Sequence, residues 1–437
     1  LWPFSTLGWP EETPDYKYFY PTSYMETGYD ILFFWVARMI MSGLEYTGKI
    51  PFHTVYLHGT IRDEFGRRMS KTYGNGIDPL IVMDEYGTDA LRFTLLVGST
   101  PGNDMNLSIG KVAANRNFAN KLWNVGRFVI TAIDSLPSAP LPEGEGVRRT
   151  GEGDYTLADS WIWSKLQQLV RDVERQFQNF QYGQAGQQIY DFIWNDFADW
   201  YVEIAKEQLK NDETNGRTVE TLARVFDMSL RLLHPFTPFV TEEIWGHLHS
   251  ALRESSLNDI CKDWPDALIV AKWPEERKPE GWEEKILQDF AKEQEIIRSI
   301  RNARAENNVK PSLKFQPVFV ASEDFDLLQR DAHFIAGLTG TYPPQIFREL
   351  DSKPENHIGL VSGTTAIYLP LAGMVDLAND KARLDKELKE AESHIQRLEN
   401  LLNGEFADKA PAALVQKERE KLAGYKDTAE KIKPQLK

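Results

Sequence analysis

HTVYLHGTIRDEFGRRMSKTYGNGIDPLIVMDEYG, residues 53 to 87, reads in order as strand, loop and helix. HTVYLHG has the β-branched and aromatic content of a buried strand. DPLIVMDEYG opens a helix, with Asp78 as N-cap and Pro79 at the first helical position, where a missing N–H costs nothing. Between them, Arg62, Arg67, Arg68 and Lys71 place four cations on one connection of a chain whose formal net charge is −15. A loop that handles phosphate needs mobile backbone, point charges and a hydroxyl, and here Gly66, Gly74 and Gly76 are the hinges and Ser70 the hydroxyl. A basic, glycine-flanked turn is common on protein surfaces. This one follows a strand and precedes a capped helix, the place where ligands collect at the carboxyl ends of strands in an open parallel sheet.

Upstream, TGYDILFFWVARMIMSGLEYTG reads as a short loop feeding a strongly apolar helix, so residues 20 to 100 alternate helix and strand as half of an α/β nucleotide-type fold. Residues 88 to 134 read as helical, starting at Thr88 or Asp89. SLPSAPLPEGEGVRRTGEGD, residues 135 to 154, is dense in proline and glycine and predicts a linker. From Leu157 to about Val309 helical periodicity dominates and predicts a bundle. Tyr190, Trp194, Phe197 and Tyr201 form one helical stripe, assigned to packing, and Pro235 with Pro238 should interrupt a helix. KFQPVFVA and GTTAIYLPL read as strands flanking the helix-like DFDLLQRDAHFIAGL, a small α/β insert. Leu384, Leu388, Ala391, Ile395, Leu398 and Leu402, then Val415, Leu422, Tyr425, Ala429 and Ile432 on the far side of NGEFADKAP, predict an antiparallel helical hairpin. Such an arm has little surface of its own to bury and is built to reach something.

At 437 residues the chain has material for two to four compact units. Hydrophobic residues make up 42%, yet no apolar run approaches the ~20 residues that cross a bilayer, so a soluble, cytoplasmic protein without membrane contact is expected. The opening LWPFSTLGWPEE is no secretion signal, and the chain begins as though cut from something longer. Cys261 alone permits no internal disulfide, and the eight histidines form no zinc-spaced pair, so no protein metal site is expected. The acidic balance argues against nucleic acid, but local charge runs the other way. Between Asp104 and Asp134 there is no acid, only Lys111, Arg116, Lys121 and Arg127; Arg298, Arg301 and Arg304 recur along one helix; and the chain from Lys409 onward carries eight bases against four acids.

Taken in order, LWPFSTLGWP, YPTSYMETGYDILFFWVARMI, RMSKT, GNGIDPL, YGTDALRFTLL, NRNFANKLWNVGRF, NDFADWYVE, LLHPFTPFVTEEIW and the terminal hairpin carry a resemblance to the class I aminoacyl-tRNA synthetases, in their valyl branch. Arg68 to Thr72, RMSKT, is similar to the KMSKS signature of that class, with Arg for the first Lys and Thr for the last Ser. The resemblance covers essentially the whole chain. It implies the second half of a Rossmann-like catalytic fold over residues 1–100, a helical connective region over 101–136 and a linker over 137–155. A helical anticodon-binding domain over 156–310, a small α/β subdomain over 311–375 and a coiled-coil arm over 376–437 complete the implied order.

The resemblance also implies the chemistry: ATP, with its Mg2+, and valine form valyl-adenylate with loss of pyrophosphate, and the valyl group passes to tRNA(Val). Cations fixed where negative charge develops lower such a barrier. By resemblance, Lys71, Arg68 and Ser70 are the catalytic groups, and Gly28, Asp30, His58, Gly59, Ile61 and Met69 join Lys71 around ATP. Ile31 and Trp35 correspond to the wall of the amino-acid pocket. The cationic stretches Lys111 to Arg127 and Arg298 to Arg304 are expected on tRNA. The histidine pair typical of the class is missing, since no His-x-x-His occurs in these residues. The chain therefore reads as the C-terminal portion of a monomeric enzyme, unable to make adenylate alone. A non-catalytic tRNA-binding module, and an isoleucyl or leucyl enzyme, stay open.

Overall fold

The computed structural model describes residues 2–136, 155–211, 214–370, 377–403, 416, 418–419 and 421–426. The chain divides into two compact units, Leu1–Ala291 and Lys292–Lys437.

The first unit opens with α1 (Trp2–Ser5) and α2 (Pro14–Phe19), around an aromatic cluster of Phe4, Tyr16 and Tyr20. Strands β1 (Thr22–Gly28) and β2 (Phe52–His58) then pair in parallel, from Thr22 opposite Phe52 to Gly28 opposite His58. A parallel pair requires a crossover. Here it is a 3-10 turn (Tyr29–Ile31), a π-helical stretch (Leu32–Val36) and α3 (Ala37–Thr47), closed by Gly48 at φ 66°. The apolar helix expected there exists, but Phe33 and Phe34 are 76% and 66% exposed. No layer of the described residues covers them.

Strand β3 (Ile61–Arg62) leads through the basic loop into α4 (Pro79–Tyr86) and α5 (Thr88–Val97), and pairs in parallel with β4 (Met105–Asn106). Asp78 caps α4 as the sequence predicts, accepting the Leu80 N–H at 2.9 Å. Val82, Ala90, Leu91, Leu107 and Val112 form the core of this layer. Helix α6 (Ile109–Asp134) follows and carries the chain toward the bundle.

The bundle comprises α7 (Leu157–Gln178), α8 (Tyr182–Asp191), a π-helical stretch (Phe192–Tyr201) continued by α9 (Val202–Gln208), α10 (Asn215–Leu233) and α11 (Pro238–Glu254). Thr156 and Asp159 close a capping box on α7, and the break between α10 and α11 falls at the two prolines. The aromatic stripe packs inward as expected. Phe197 and Tyr201 are fully buried and stack at 6.0 Å, and Phe197 lies 5.9 Å from Phe226; each such pair adds about 0.5–1.5 kcal/mol beyond burial. Tyr201 Oη donates to the buried Asp159 carboxylate at 2.5 Å. The bundle also grips the α/β layer. Asp89 on α5 accepts the Val240 N–H at 2.7 Å in the first turn of α11, and Phe180, at φ 58°, meets Tyr24 and Tyr56.

Helix α12 (Glu283–Glu306) spans the division between the units. The second unit adds β5 (Val318–Val320), α13 (Phe325–Arg330), α14 (Ala332–Thr339), β6 (Gln345–Phe347), β7 (His357–Ser362) and β8 (Thr365–Pro370). The sheet order is β6-β5-β8-β7, with β5 and β6 parallel and the other pairs antiparallel. DFDLLQRDAHFIAGL forms two helices, broken at Asp331, where one was expected. Helix α15 (Leu377–Leu402) is the outgoing arm, and residues 421–426 are helical along it: His394 stacks on Tyr425 at 4.8 Å and Lys426 meets Glu399 at 2.6 Å. The expected linker over 137–154 and most of the expected hairpin turn lie outside the described residues. Among those described, no helix is long and apolar enough to cross a membrane, and no three His, Cys, Asp or Glu gather as metal ligands.

Candidate functional site

Parallel pairing brings the carboxyl ends of β1 and β2 side by side, and this is where three of the expected nucleotide residues meet. A Cβ on Gly28 would stand 2.8 Å from Asp30 Oδ1 and 3.6 Å from His58 Cε1. The Asp30 carboxylate and the His58 ring thus converge on the Gly28 backbone. His58 Nδ1 lies 3.0 Å from Gly59 O, and Nε2 lies 3.4 Å from Glu26 Oε1. Asp30 is exposed, and its carboxyl oxygens are acceptors suited to ribose-type hydroxyls. Ile61 is 37% exposed in β3. Gly59 plays a different part, because a Cβ there would overlap the Asn103 carbonyl; the residue is a point of backbone contact. Ile31 and Trp35 lie in the 3-10 and π-helical turns after β1, 43% and 56% exposed.

The basic loop is more ordered than its glycines suggest. Asp63, only 5% exposed, is its hub. Its carboxylate accepts the N–H groups of Phe65 and Arg67 at 3.1 and 2.8 Å, Arg67 Nε at 2.8 Å and Asn75 Nδ2 at 3.0 Å. Burial pushes this carboxyl up, but the hydrogen bonds from Asn75 and Arg67 outweigh it and hold it down at about 2. Asn75 in turn accepts the Ser70 N–H at 3.0 Å and donates to Arg68 O at 3.2 Å, closing the loop on itself. Arg62 is held by Asp104, with Nε at 2.6 Å.

Two of the four loop cations are therefore structural. Arg62 belongs to Asp104 and Arg67 to Asp63, whereas Arg68 and Lys71 are exposed and have no carboxylate partner among the described residues. Ser70 Oγ accepts the Tyr73 N–H at 3.2 Å and so shapes the turn. Met69 packs against the Val82–Val112 core. Its side chain anchors the loop to that core.

The cations expected on nucleic acid divide in the same way. On α6, Lys121 is 2.5 Å from Asp199 and sits 3.9 Å over the Trp194 ring, so it braces the bundle. Lys111 Nζ reaches Asn106 O at 3.4 Å, and Arg116 lies over Tyr86 with its charge exposed. Arg127 is exposed at a groove of about 640 Å³ that Trp123 and His247 also line. On α12, Arg301 donates to Leu338 O at 2.9 Å, and Arg298 lies on the same helix. Arg304 is placed differently from its neighbours on the helix. It is 9% exposed and gives its guanidinium to the carbonyls of Gly340, Lys310 and Leu313. Burial pushes its pKa down, and it is a structural residue inside the second unit.

Asp63, Asn75 and Asp104 were missed by sequence reasoning. Asp63 had a readable signal, since an Asp two residues before a bonded N–H is an Asx turn. Asp104 had none, because its partners lie more than 40 residues away.

Residues 1–108 match the family model of class I tRNA synthetases (I, L, M and V), 159–320 the anticodon-binding domain of tRNA ligases, and 376–437 the valyl tRNA synthetase tRNA-binding arm. The chain belongs to the class I aminoacyl-tRNA synthetases. Within that class its family is the valine–tRNA ligases. It is 43% identical over 450 residues to the valine–tRNA ligase of Symbiobacterium thermophilum, covering 100% of this chain and 48% of that protein. It is 39% identical over 442 residues to that of Clostridium acetobutylicum, covering 100% and 47%. The chain spans about half the length of the curated relatives it matches. A methionyl-tRNA synthetase of Mycobacterium tuberculosis, solved with methionyl-adenylate, is 22% identical at a TM-score of 0.48, covering 59% of this chain and 50% of that one.

Proposed function

We propose that the protein containing this chain is an ATP-dependent ligase that activates valine as an adenylate and transfers it to tRNA(Val). The observation that carries this reading is the pairing of two features. The ends of β1 and β2 gather Gly28, Asp30 and His58, and the neighbouring loop commits Arg62 and Arg67 to Asp104 and Asp63 while leaving Arg68 and Lys71 exposed.

Activation transfers the nucleotide's α-phosphorus to the amino-acid carboxylate and expels pyrophosphate, so negative charge grows on the leaving oxygens. Arg68 and Lys71 are the cations placed to meet it, and a preorganised charge does so without reorganisation at the moment of reaction. Asp30 suits the ribose hydroxyls and Gly28 gives the nucleotide close approach. Mg2+ enters with ATP. Gly66 and Gly74 adopt φ 78° and 64° at the loop's two bends, where a hinge would let it close and reopen. The bundle and the α15 arm are the surfaces for tRNA, through Arg116 and Arg127 on α6 and the bases after Lys409. The chain is read as acting as a monomer, and its bare Phe33–Trp35 turn as lying against the remainder of the longer protein.

The test is amino-acid-dependent exchange of pyrophosphate into ATP by the full-length protein. Valine should drive it far better than isoleucine or leucine, and tRNA(Val) should be charged. Exchange driven equally by all three, or by none, would remove the assignment.

A further inference from the structure

We propose that Ser99–Asp104 is a strut that sets the position of the nucleotide site against the helical bundle, with Asp104 as its positioning residue. The inference rests on the adenylate-forming reading of the site.

Three observations on separate residues converge on this segment. At its bundle end, a Cβ on Gly183 of α8 would overlap the Ser99 carbonyl and stand 3.0 Å from Val97 O. At its other end, a Cβ on Gly59 would overlap the Asn103 carbonyl, one residue after His58. The segment is thus seated between two helix-to-backbone and strand-to-backbone contacts that only glycine permits. Between these bearings the Gly102 N–H donates to Leu57 O at 2.8 Å, which bonds the strut to the end of β2.

Asp104 then divides its carboxylate between the two halves of the site. Oδ1 accepts the Thr60 N–H at 2.7 Å, fixing the backbone just beyond His58, while Oδ2 takes Arg62 Nε at 2.6 Å and Nη2 at 2.5 Å. Arg62 Nη1 continues to Gly66 O at 3.1 Å, the hinge of the basic loop. The Thr60 and Arg62 bonds hold this carboxyl below the usual carboxylate range. One side chain therefore spaces the His58 edge from the loop that carries Arg68 and Lys71, without touching His58, Arg68 or Lys71. Groups held at one remove from the reacting atoms matter because small displacements of the charges they hold carry large rate costs.

The experiment uses the full-length protein and pyrophosphate exchange measured against ATP and valine separately. Asp104→Asn keeps an acceptor for Thr60 but loses the charge opposite Arg62. It should raise KM for ATP and lower kcat, by a combined factor of about 10–100, with KM for valine unchanged and the melting temperature close to wild type. Gly183→Ala, made on the bundle, should show the same ATP-selective signature, and Asp104→Glu should recover part of the loss. Equal rises in both KM values, or a loss fully explained by unfolding, would overturn the strut. If the wild-type protein exchanges with no amino acid, the functional reading fails by itself; the strut is then read from ATP affinity in equilibrium dialysis, and an unchanged affinity in Asp104→Asn sinks it.

Discussion

Asn75 Nδ2 donates to Asp63 Oδ2 at 3.0 Å, a bond that ties the end of the basic loop to its beginning. It holds the two ends of a segment with two glycines at positive φ together in this structure. Because the Asp63 carboxyl sits at about 2 in the folded protein against an ordinary 3.8, the folded loop binds protons less readily than the unfolded chain. Its contribution to stability is present above pH 3.8 and is lost as pH falls through about 2. The Phe65 and Arg67 amides should be protected from hydrogen exchange at pH 5 and lose protection toward pH 2, after correction for intrinsic rates. Equal protection at both ends of that range would contradict the hub.

Lys71 and Arg67 should separate cleanly on substitution. Lys71→Ala removes an exposed cation with no carboxylate partner among the described residues and is expected to lower valine activation by about 10²–10³ with an unchanged melting temperature. Arg67→Ala removes a partner of Asp63 and should act mainly on loop order, seen as faster proteolysis between Gly66 and Gly76. Matching rate losses for the two would mean that the loop has no division of labour.

Arg304→Met should destabilise the second unit by about 1–3 kcal/mol, the cost of leaving buried carbonyls unpaired. Affinity for tRNA measured well below the transition should not move. A fall in affinity without a fall in stability would return Arg304 to the nucleic-acid surface.

Arg116 and Arg127 are exposed cations of α6, and replacing either by Gln should flatten the salt dependence of tRNA binding by about one unit of slope. Lys121→Gln should instead lower stability, since its ammonium lies between Asp199 and Trp194. Titrations at several salt concentrations distinguish the two outcomes.

The chain expressed alone is expected to bind tRNA and to show no valine-dependent pyrophosphate exchange. It contains no His-x-x-His, and it leaves Phe33 and Phe34 bare. Exchange by the isolated chain would refute the division of the site between this chain and the rest of the protein.

Local order was legible in the residues themselves. The Asp78–Pro79 helix start, the interruption at Pro235 and Pro238, and the inward stripe of Phe197 and Tyr201 follow from groups a few positions apart, and such groups interact in almost any fold that keeps the element. Asp331 broke one expected helix into two. The π-helical turn at Leu32–Val36 was also invisible, since it shifts register without leaving a mark in the pattern of apolar residues.

What the sequence determined by itself was the succession of elements and the presence of a cationic, glycine-hinged loop after a strand. Arg67 is committed by its near neighbour Asp63, but whether Arg62 is available was decided only by tertiary structure. Arg62 is committed because Asp104, 42 positions away, folds against it, and Arg304 is committed because three carbonyls of the small sheet domain surround it. Charge is written in the residue, but whether it faces a ligand or a neighbouring carboxylate depends on packing between segments that the chain keeps far apart.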